Sequence, residues 1–257
     1  MSDPIDRPAH ELQTQGYTVV HNVLTLDEVE AVRAALGEIF EREKEIGRKR
    51  NWHTDMHRVA YMLPQKHALF REIPLNPRVL PLMQKVLGSD CVLSSINGMT
   101  MSEGGKAQPL HLDQPQSVPG IVLNINALYT LDDFTRANGC TRVVPFSQDR
   151  VVKQPIDQEA EEKNTIYLEA PVGSLIAFNG GIIHAGSANT TTGLRRCLHA
   201  YYCRAWVRPQ WDYPSSLTSD VVATLNDQQR RLFGFHPTEW RYDVATDAQT
   251  RTVRVSQ

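Results

Sequence analysis

The 257-residue sequence has no apolar run near the roughly 18 residues that a membrane span requires. Its first residues, MSDPIDRPAHELQ, are polar and acidic and lack the apolar stretch of a secretory signal. Both absences lead to the expectation of a soluble, cytoplasmic protein. Cysteine is scarce: Cys91, Cys140, Cys197 and Cys203 are the full set, and none forms a C-x-x-C pair. In a reducing compartment they are expected to be buried thiols, neither disulfides nor zinc ligands. An excess of one charge is missing too, since 27 Lys and Arg face 29 Asp and Glu for a net charge of −2. That balance excludes the basic footprint of a nucleic-acid binder and the basic patch of a membrane-surface protein. No repeat of fixed period, low-complexity tract or long Pro/Gly linker divides the chain. Residues 1–257 therefore read as one domain, and 41% apolar residues suffice for one sizeable core. The glycosylation pattern Asn189-Thr190-Thr191 carries no weight without a secretory signal.

What is present changes character along the chain. Residues 25–44 place Leu26, Val29, Val32, Leu36, Ile39 and Phe40 at helical spacing. Thr25 with Glu28 three residues on forms a capping-box pattern. A second helix is expected over 78–87, with Pro81 in its first turn and Gly88 as its stop. From Cys91 the texture turns strand-like: CVLSSINGMTM, IVLNINALYTL, TRVVPF, TIYLEA, SLIAFNG and CLHAYYCRAWV are short β-branched or aromatic runs between turns. Such spacing argues for a sandwich or barrel, the jelly roll included. A last helix is expected over 215–233, ending near Gly234. The sum is a mainly β fold with flanking helices: a helical part over about 1–90, a β core over about 91–210 and a C-terminal helical extension over about 211–257.

Within LHLDQPQ, His111 and Asp113 stand two apart, so a strand would aim both at one face. Two such residues alone fit a polar edge strand equally well. His184 supplies a third donor, following an apolar strand and the Gly180-Gly181 pair, where backbone can pass close to other groups. Two imidazoles and one carboxylate on one side leave three adjacent coordination positions, the facial arrangement of non-haem Fe(II) oxygenases. A bidentate 2-oxo acid there needs an anchor for its far carboxylate, and a guanidinium fits best. Arg195 and Arg196 follow His184 by eleven and twelve residues, and strand alternation lets only one of them face inward.

These residues resemble the phytanoyl-CoA dioxygenase family of Fe(II)- and 2-oxoglutarate-dependent oxygenases, over roughly residues 12–240. The likeness lies in GYTVVHNVLTLDEVEAVRAAL, LGSDCVLSS, QPLHLDQ, ALYTLDDFTRANGCTRVVPFSQ and GSLIAFNGGIIHAGSANTTTGLRRCLHAYYCRAWVRPQWDY. QPLH, DDFT and the R-x-W-x-R-P-Q tail are similar to members that tailor natural products. The resemblance implies a double-stranded β-helix, a cupin-like jelly roll. It implies iron on His111, Asp113 and His184, with 2-oxoglutarate and O₂ as cosubstrates. It assigns the distal carboxylate of 2-oxoglutarate to Arg195, with Arg196 second, and sets Gln108 and Thr141 beside the cosubstrate. It further implies a small-molecule substrate, and oxidation, not halogenation, because Asp113 is present.

Other residues carry weaker expectations. His53 and His57 would pair on a helix, but no third donor accompanies them; Arg58, Tyr61 and Met62 belong to the same pre-barrel stretch, a possible pocket wall. His199 shares the face of Arg195 and fits a buried structural histidine. Trp206, Trp211 and Tyr213 fit the core better than a pocket mouth, and residues 41–50 fit a solvated helix end. Two rival functions remain: a cupin-like metalloenzyme that does not use 2-oxoglutarate, and a non-catalytic small-molecule binder on the same fold.

Overall fold

The computed structural model describes residues 4–114, 118–235, 240–243 and 248–251. The chain opens with α1 (Asp6–Thr14) and β1 (Tyr17–Val20), two elements the sequence patterns did not single out. In α2 (Leu26–Arg42) the capping box is closed: the Glu28 N–H donates to the Thr25 hydroxyl at 3.2 Å, and the Thr25 N–H donates to the Glu28 carboxylate at 2.7 Å. Val29, Val32, Leu36, Ile39 and Phe40 of α2 are buried as their spacing requires, whereas Leu26 is exposed. Then come α3 (Lys44–Lys49), β2 (His57–Ala60), α4 (Leu63–Lys66), α5 (Leu69–Glu72) and α6 (Leu80–Leu87). The last matches the expected helix, two residues shorter at its start. His53 and His57 share no helix, which corrects that reading: His57 lies on β2 opposite Met101, while His53 is buried edge-on to Phe40 at 5.5 Å.

Seven further strands build the core: β3 (Val92–Met101), β4 (Asn124–Thr130), β5 (Thr141–Val143), β6 (Ile166–Leu168), β7 (Leu175–Asn179), β8 (His184–Gly186) and β9 (Arg195–Cys203). Between β5 and β6 lies α7 (Gln158–Glu162). The larger sheet has the order β1-β7-β4-β9-β3-β2 and the smaller β6-β5-β8, with every pair antiparallel. This is the two-sheet jelly roll expected. The strand expected over 197–207 begins and ends earlier: its last residues form a turn in which the Arg204 guanidinium donates to the carbonyls of Val122, Leu87 and Val86.

Strand alternation divides the larger sheet into two faces. Leu93, Ile96, Ala127, Leu198, Ala200 and Tyr202 pack with the helices in the main core. Leu128, Ile176, Phe178 and Cys197 pack with Val143 of β5 in a second core between the sheets. Arg195, His199 and Tyr201, in step with Cys197, therefore face the space between the sheets.

The single helix expected over 215–233 is three: α8 (Tyr213–Ser216), α9 (Ser219–Ala223) and α10 (Asp227–Leu232). Side-chain caps open α8 and α10. The Asp212 carboxylate accepts from the Ser215 N–H, and Asn226 forms a second capping box with Gln229. Side chains that satisfy helix-terminal N–H groups compete with helix propagation. A hairpin of β10 (Trp240–Asp243) and β11 (Ala248–Arg251) follows, where helix was expected. Tyr213 is in the core, Trp211 packs against it and Trp206 is exposed. All four cysteines are free and buried. Among the described residues no helix is long and apolar enough to cross a membrane.

Replacing Thr25 by Ala removes the cap acceptor of α2 and should cost about 1 kcal/mol. Urea unfolding checks this: the midpoint falls while the slope is unchanged.

Candidate metal centre

The residues before His111 act as one more strand at the edge of the smaller sheet. The Gln108 N–H donates to the Gly186 carbonyl at 2.9 Å, and His111 and His184 exchange backbone N–H···O bonds of 2.9 and 3.0 Å. This pairing sets the two imidazoles side by side, with ring centroids 4.4 Å apart. Asp113 follows where the chain bends, so His111 and Asp113 do not share a continuous strand as expected. The convergence holds all the same. One donor atom from each of His111, Asp113 and His184 lies within 4.8 Å of the others. His111 Nε2 is 3.7 Å from Asp113 Oδ1, and His184 Nε2 is 3.5 Å from Asp113 Oδ2. Among the described residues this is the only such donor cluster.

Backbone carbonyls fix both rings. His111 Nδ1 lies 2.9 Å from the Pro109 carbonyl and His184 Nδ1 lies 3.0 Å from the Ile182 carbonyl. A carbonyl only accepts, so each Nδ1 carries the proton and each Nε2 presents a lone pair to the common point. Burial, opposed by the Asp113 charge, holds His184 below the ordinary histidine range, so that its lone pair is free at neutral pH. Two imidazoles and one carboxylate, all on one side, suit a divalent first-row ion with open positions.

The arm that carries His111 is held from three directions. The Gly186 N–H donates to Gln108 Oε1 at 2.9 Å. The Arg142 guanidinium, on the outer face of β5, donates to the carbonyls of Gly186 and Gln108 at 2.9 and 3.0 Å. On the free edge, the Gln158 amide takes the place of a neighbouring strand: Oε1 accepts from the Leu110 N–H at 2.8 Å and Nε2 donates to the Leu110 carbonyl at 2.9 Å. Beneath these bonds Leu110, Val144, Ile156, Ile183 and Ala185 form a small separate core. At Gly180 a Cβ would come within 1.7 Å of Asn124 Oδ1, which explains a glycine there.

The two arginines divide as alternation requires. Arg196 grips Asp132 with two guanidinium bonds of 2.9 and 2.7 Å, and Asp132 also binds Arg33 of α2. Arg195 has no acidic partner among the described residues; its guanidinium lies 3.8 Å from the Met101 sulfur and 5.0 Å from the centre of the Phe134 ring. Its Nε is buried with no hydrogen-bond partner. Thr141 is buried on β5 opposite Gly186, on the face that Val143 shares with His184.

Sequence reasoning missed Asn126, whose Nδ2 donates to Asp113 Oδ2 at 2.7 Å, as well as Arg142 and Gln158. Asn126 left a trace: asparagines alternate with apolar residues in NINAL, on a strand otherwise suited to full burial. Gln158, in a short acidic helix, left none. Gln158→Leu should release the arm. We expect the Leu110 amide to exchange faster in hydrogen exchange, and Ni²⁺ affinity to fall severalfold with little change in melting temperature.

The model for the phytanoyl-CoA dioxygenase family matches residues 12–197, more than half of the chain. Uncharacterized protein Rv1501 of Mycobacterium tuberculosis is 26% identical over 240 residues, covering 90% of this chain and 87% of its own. Dioxygenase FUM3 of Gibberella moniliformis is 27% identical over 260 residues, covering 92% and 84%. Among solved structures, the α-ketoglutarate-dependent carbocyclase SnoK from nogalamycin biosynthesis has a TM-score of 0.66 at 20% identity, covering 83% of this chain and 90% of its own. HygX from Streptomyces hygroscopicus, with nickel and 2-oxoglutarate bound, has a TM-score of 0.66 at 17% identity, covering 84% and 93%. At those identities the likeness concerns the fold. Matched over most of its helical part and nearly all of its β core, the chain belongs to the phytanoyl-CoA dioxygenase family of non-haem oxygenases.

Proposed function

We propose that the chain is an Fe(II)- and 2-oxoglutarate-dependent dioxygenase that oxidises an unactivated C–H bond of a small molecule in secondary metabolism, with succinate and CO₂ as coproducts. The observation that carries this reading is the unpaired Arg195 guanidinium on the inner face of the jelly roll, beside a three-donor cluster that leaves coordination positions free. A simple metal-binding cupin has no need of a guanidinium without an acid there. Relatives support the reaction class: FUM3 of Gibberella moniliformis is a dioxygenase, and a Fe(II)/2-oxoglutarate-dependent dioxygenase of Aspergillus novofumigatus is 29% identical over 138 residues.

When bound, the ferrous ion and its 2-oxo acid supply the oxidising chemistry with O₂. The chain supplies position and charge. His111 and His184 offer Nε2, and Asp113 offers a carboxylate oxygen. Arg195 grips the far carboxylate of 2-oxoglutarate, because a planar fork fixes both its place and its orientation. Gln108 spends its Oε1 on Gly186 and keeps Nε2 as a donor for the near end of the cosubstrate, with Thr141 adding a hydroxyl. Phe178, 4.6 Å from the His184 ring, keeps one side of the centre apolar.

Thermal unfolding under anaerobic conditions tests the reading. Fe²⁺ with 2-oxoglutarate should stabilise the protein well beyond Fe²⁺ alone, by about 2.7 kcal/mol at a hundredfold excess over Kd. Arg195→Gln should keep the metal effect and weaken 2-oxoglutarate about 10- to 100-fold, the loss of one or two charge-assisted bonds. If metal alone stabilises the wild type and 2-oxoglutarate adds nothing, the rival metalloenzyme reading wins.

A further inference from the structure

The inner faces of β4 and β9 carry a line of polar groups that ends on the metal-site carboxylate. Asn126 lies on β4, fully buried. His199 lies on β9, where its register partner on β4 is Leu128, two positions along the ladder from the Asn126–Tyr201 pair and on the same face. His199 Nε2 is hydrogen-bonded to Asn126 Oδ1, and Asn126 Nδ2 donates to Asp113 Oδ2 at 2.7 Å. Donor and acceptor chemistry leaves one assignment for the line. A carboxylate only accepts, so the Asn126 amide group must face Asp113. Its carbonyl oxygen must then face His199 and can only accept, which makes His199 Nε2 the protonated nitrogen. Burial, opposed by the Asp113 charge and joined by that of Arg195, lowers the His199 pKa from the ordinary histidine value.

This line does to Asp113 what the Pro109 and Ile182 carbonyls do to the histidines. The bond from Asn126 to Oδ2 restrains the carboxylate in an orientation that sets Oδ1 3.7 Å from His111 Nε2 and Oδ2 3.5 Å from His184 Nε2. Among the described residues no side-chain N–H donates to Oδ1, which stays turned toward His111. Asn126 could in principle rotate and present its oxygen to Asp113, which would repel it. The His199 N–H opposes that rotation, because it would then face an NH₂ group.

We propose that Asn126, oriented by His199, is a positioning residue that holds the Asp113 carboxylate turned toward His111 and His184. The inference rests on the proposed metal-dependent function, and its test separates the two. The probe is Ni²⁺ alone, titrated calorimetrically into the purified full chain, with the melting temperature of the metal-free protein measured beside it. Asn126→Ala should weaken Ni²⁺ about 10- to 100-fold, the usual effect of removing a partner of a metal ligand. His199→Leu should weaken it in the same direction. His199→Gln, which restores an N–H donor, should recover most of the affinity. Because His199 acts only through Asn126, the double variant Asn126→Ala/His199→Leu should bind no more weakly than Asn126→Ala. Additive losses, or His199→Gln behaving like His199→Leu, would overturn the relay. So would wild-type affinity in both Asn126→Ala and His199→Leu at unchanged melting temperature. If wild type itself binds no Ni²⁺, the metal-site reading fails instead, and the relay with it.

Discussion

The reciprocal pair of backbone bonds between His111 and His184 is the contact on which the candidate site depends. It joins an edge segment to the smaller sheet in one register, and that register brings two imidazoles to one point. A slip by one residue would turn each side chain to the opposite face. The surroundings oppose such a slip. Gln108 pairs with Gly186 through both backbone and side chain, Arg142 bonds two carbonyls across the seam, and the Gln158 amide occupies the outer edge of Leu110. An unpaired sheet edge is ordinarily a weak point. Here the edge is closed by a single side-chain amide and a small apolar patch, which leaves the metal-facing side open.

The two arginines after Leu194 show how one alternation serves fold and chemistry together. Arg196 enters a network with Asp132 and Arg33 that ties α2 to the ends of β4 and β9. Its charge is neutralised there, and Asp132 holds it still above the usual range of an arginine. Arg195 lies one residue away on the opposite face with no acid to answer it. A half-buried guanidinium with no acidic partner among the described residues suits a site that receives an anion. Alternation alone left either arginine free to face inward, and the family resemblance ranked Arg195 first; the pairing of Arg196 with Asp132 agrees with that order, and nothing local to the Arg-Arg pair points to an aspartate so far back in the chain.

How much was legible follows the range of each interaction. The α2 cap and its apolar stripe are local, and Thr25 and Glu28 could be read directly. The β runs were legible in kind but not in extent, since β5 and β9 stop where tertiary partners stop. The triad was found because three donors of two types stand in a known pattern, although His111 and Asp113 reach one point across a bend and not along a strand. The 215–233 segment misled, because the backbone turns extended at Leu217 and Thr218 and again at Asn226, whose capping box starts a new helix. Gln158 was invisible: a glutamine in an acidic helix gives no sign that its amide substitutes for a strand. His53 and His57 show the converse error, a spacing with helical meaning in a segment that pairs as β2 with β3.

The larger sheet resolves a conflict between stability and function by assigning one to each face. Toward the helices, Ala127, Leu198, Ala200 and Tyr202 bury apolar surface and hold the fold together. Toward the smaller sheet, the same two strands turn Asn124, Asn126, Arg195, His199 and Tyr201 into the space beside the metal donors. Polar groups in that space would cost free energy if left unpaired. Most are paired with one another in a definite sense: Asn124 Nδ2 to Gln114 Oε1 at 3.3 Å, Asn126 to both His199 and Asp113. Pairing of that kind fixes donor and acceptor directions, so the polar lining that weakens the inner core also makes it specific. Arg195 has no acidic partner among the described residues, and its charge in that space is what the proposed oxo-dicarboxylate site would use.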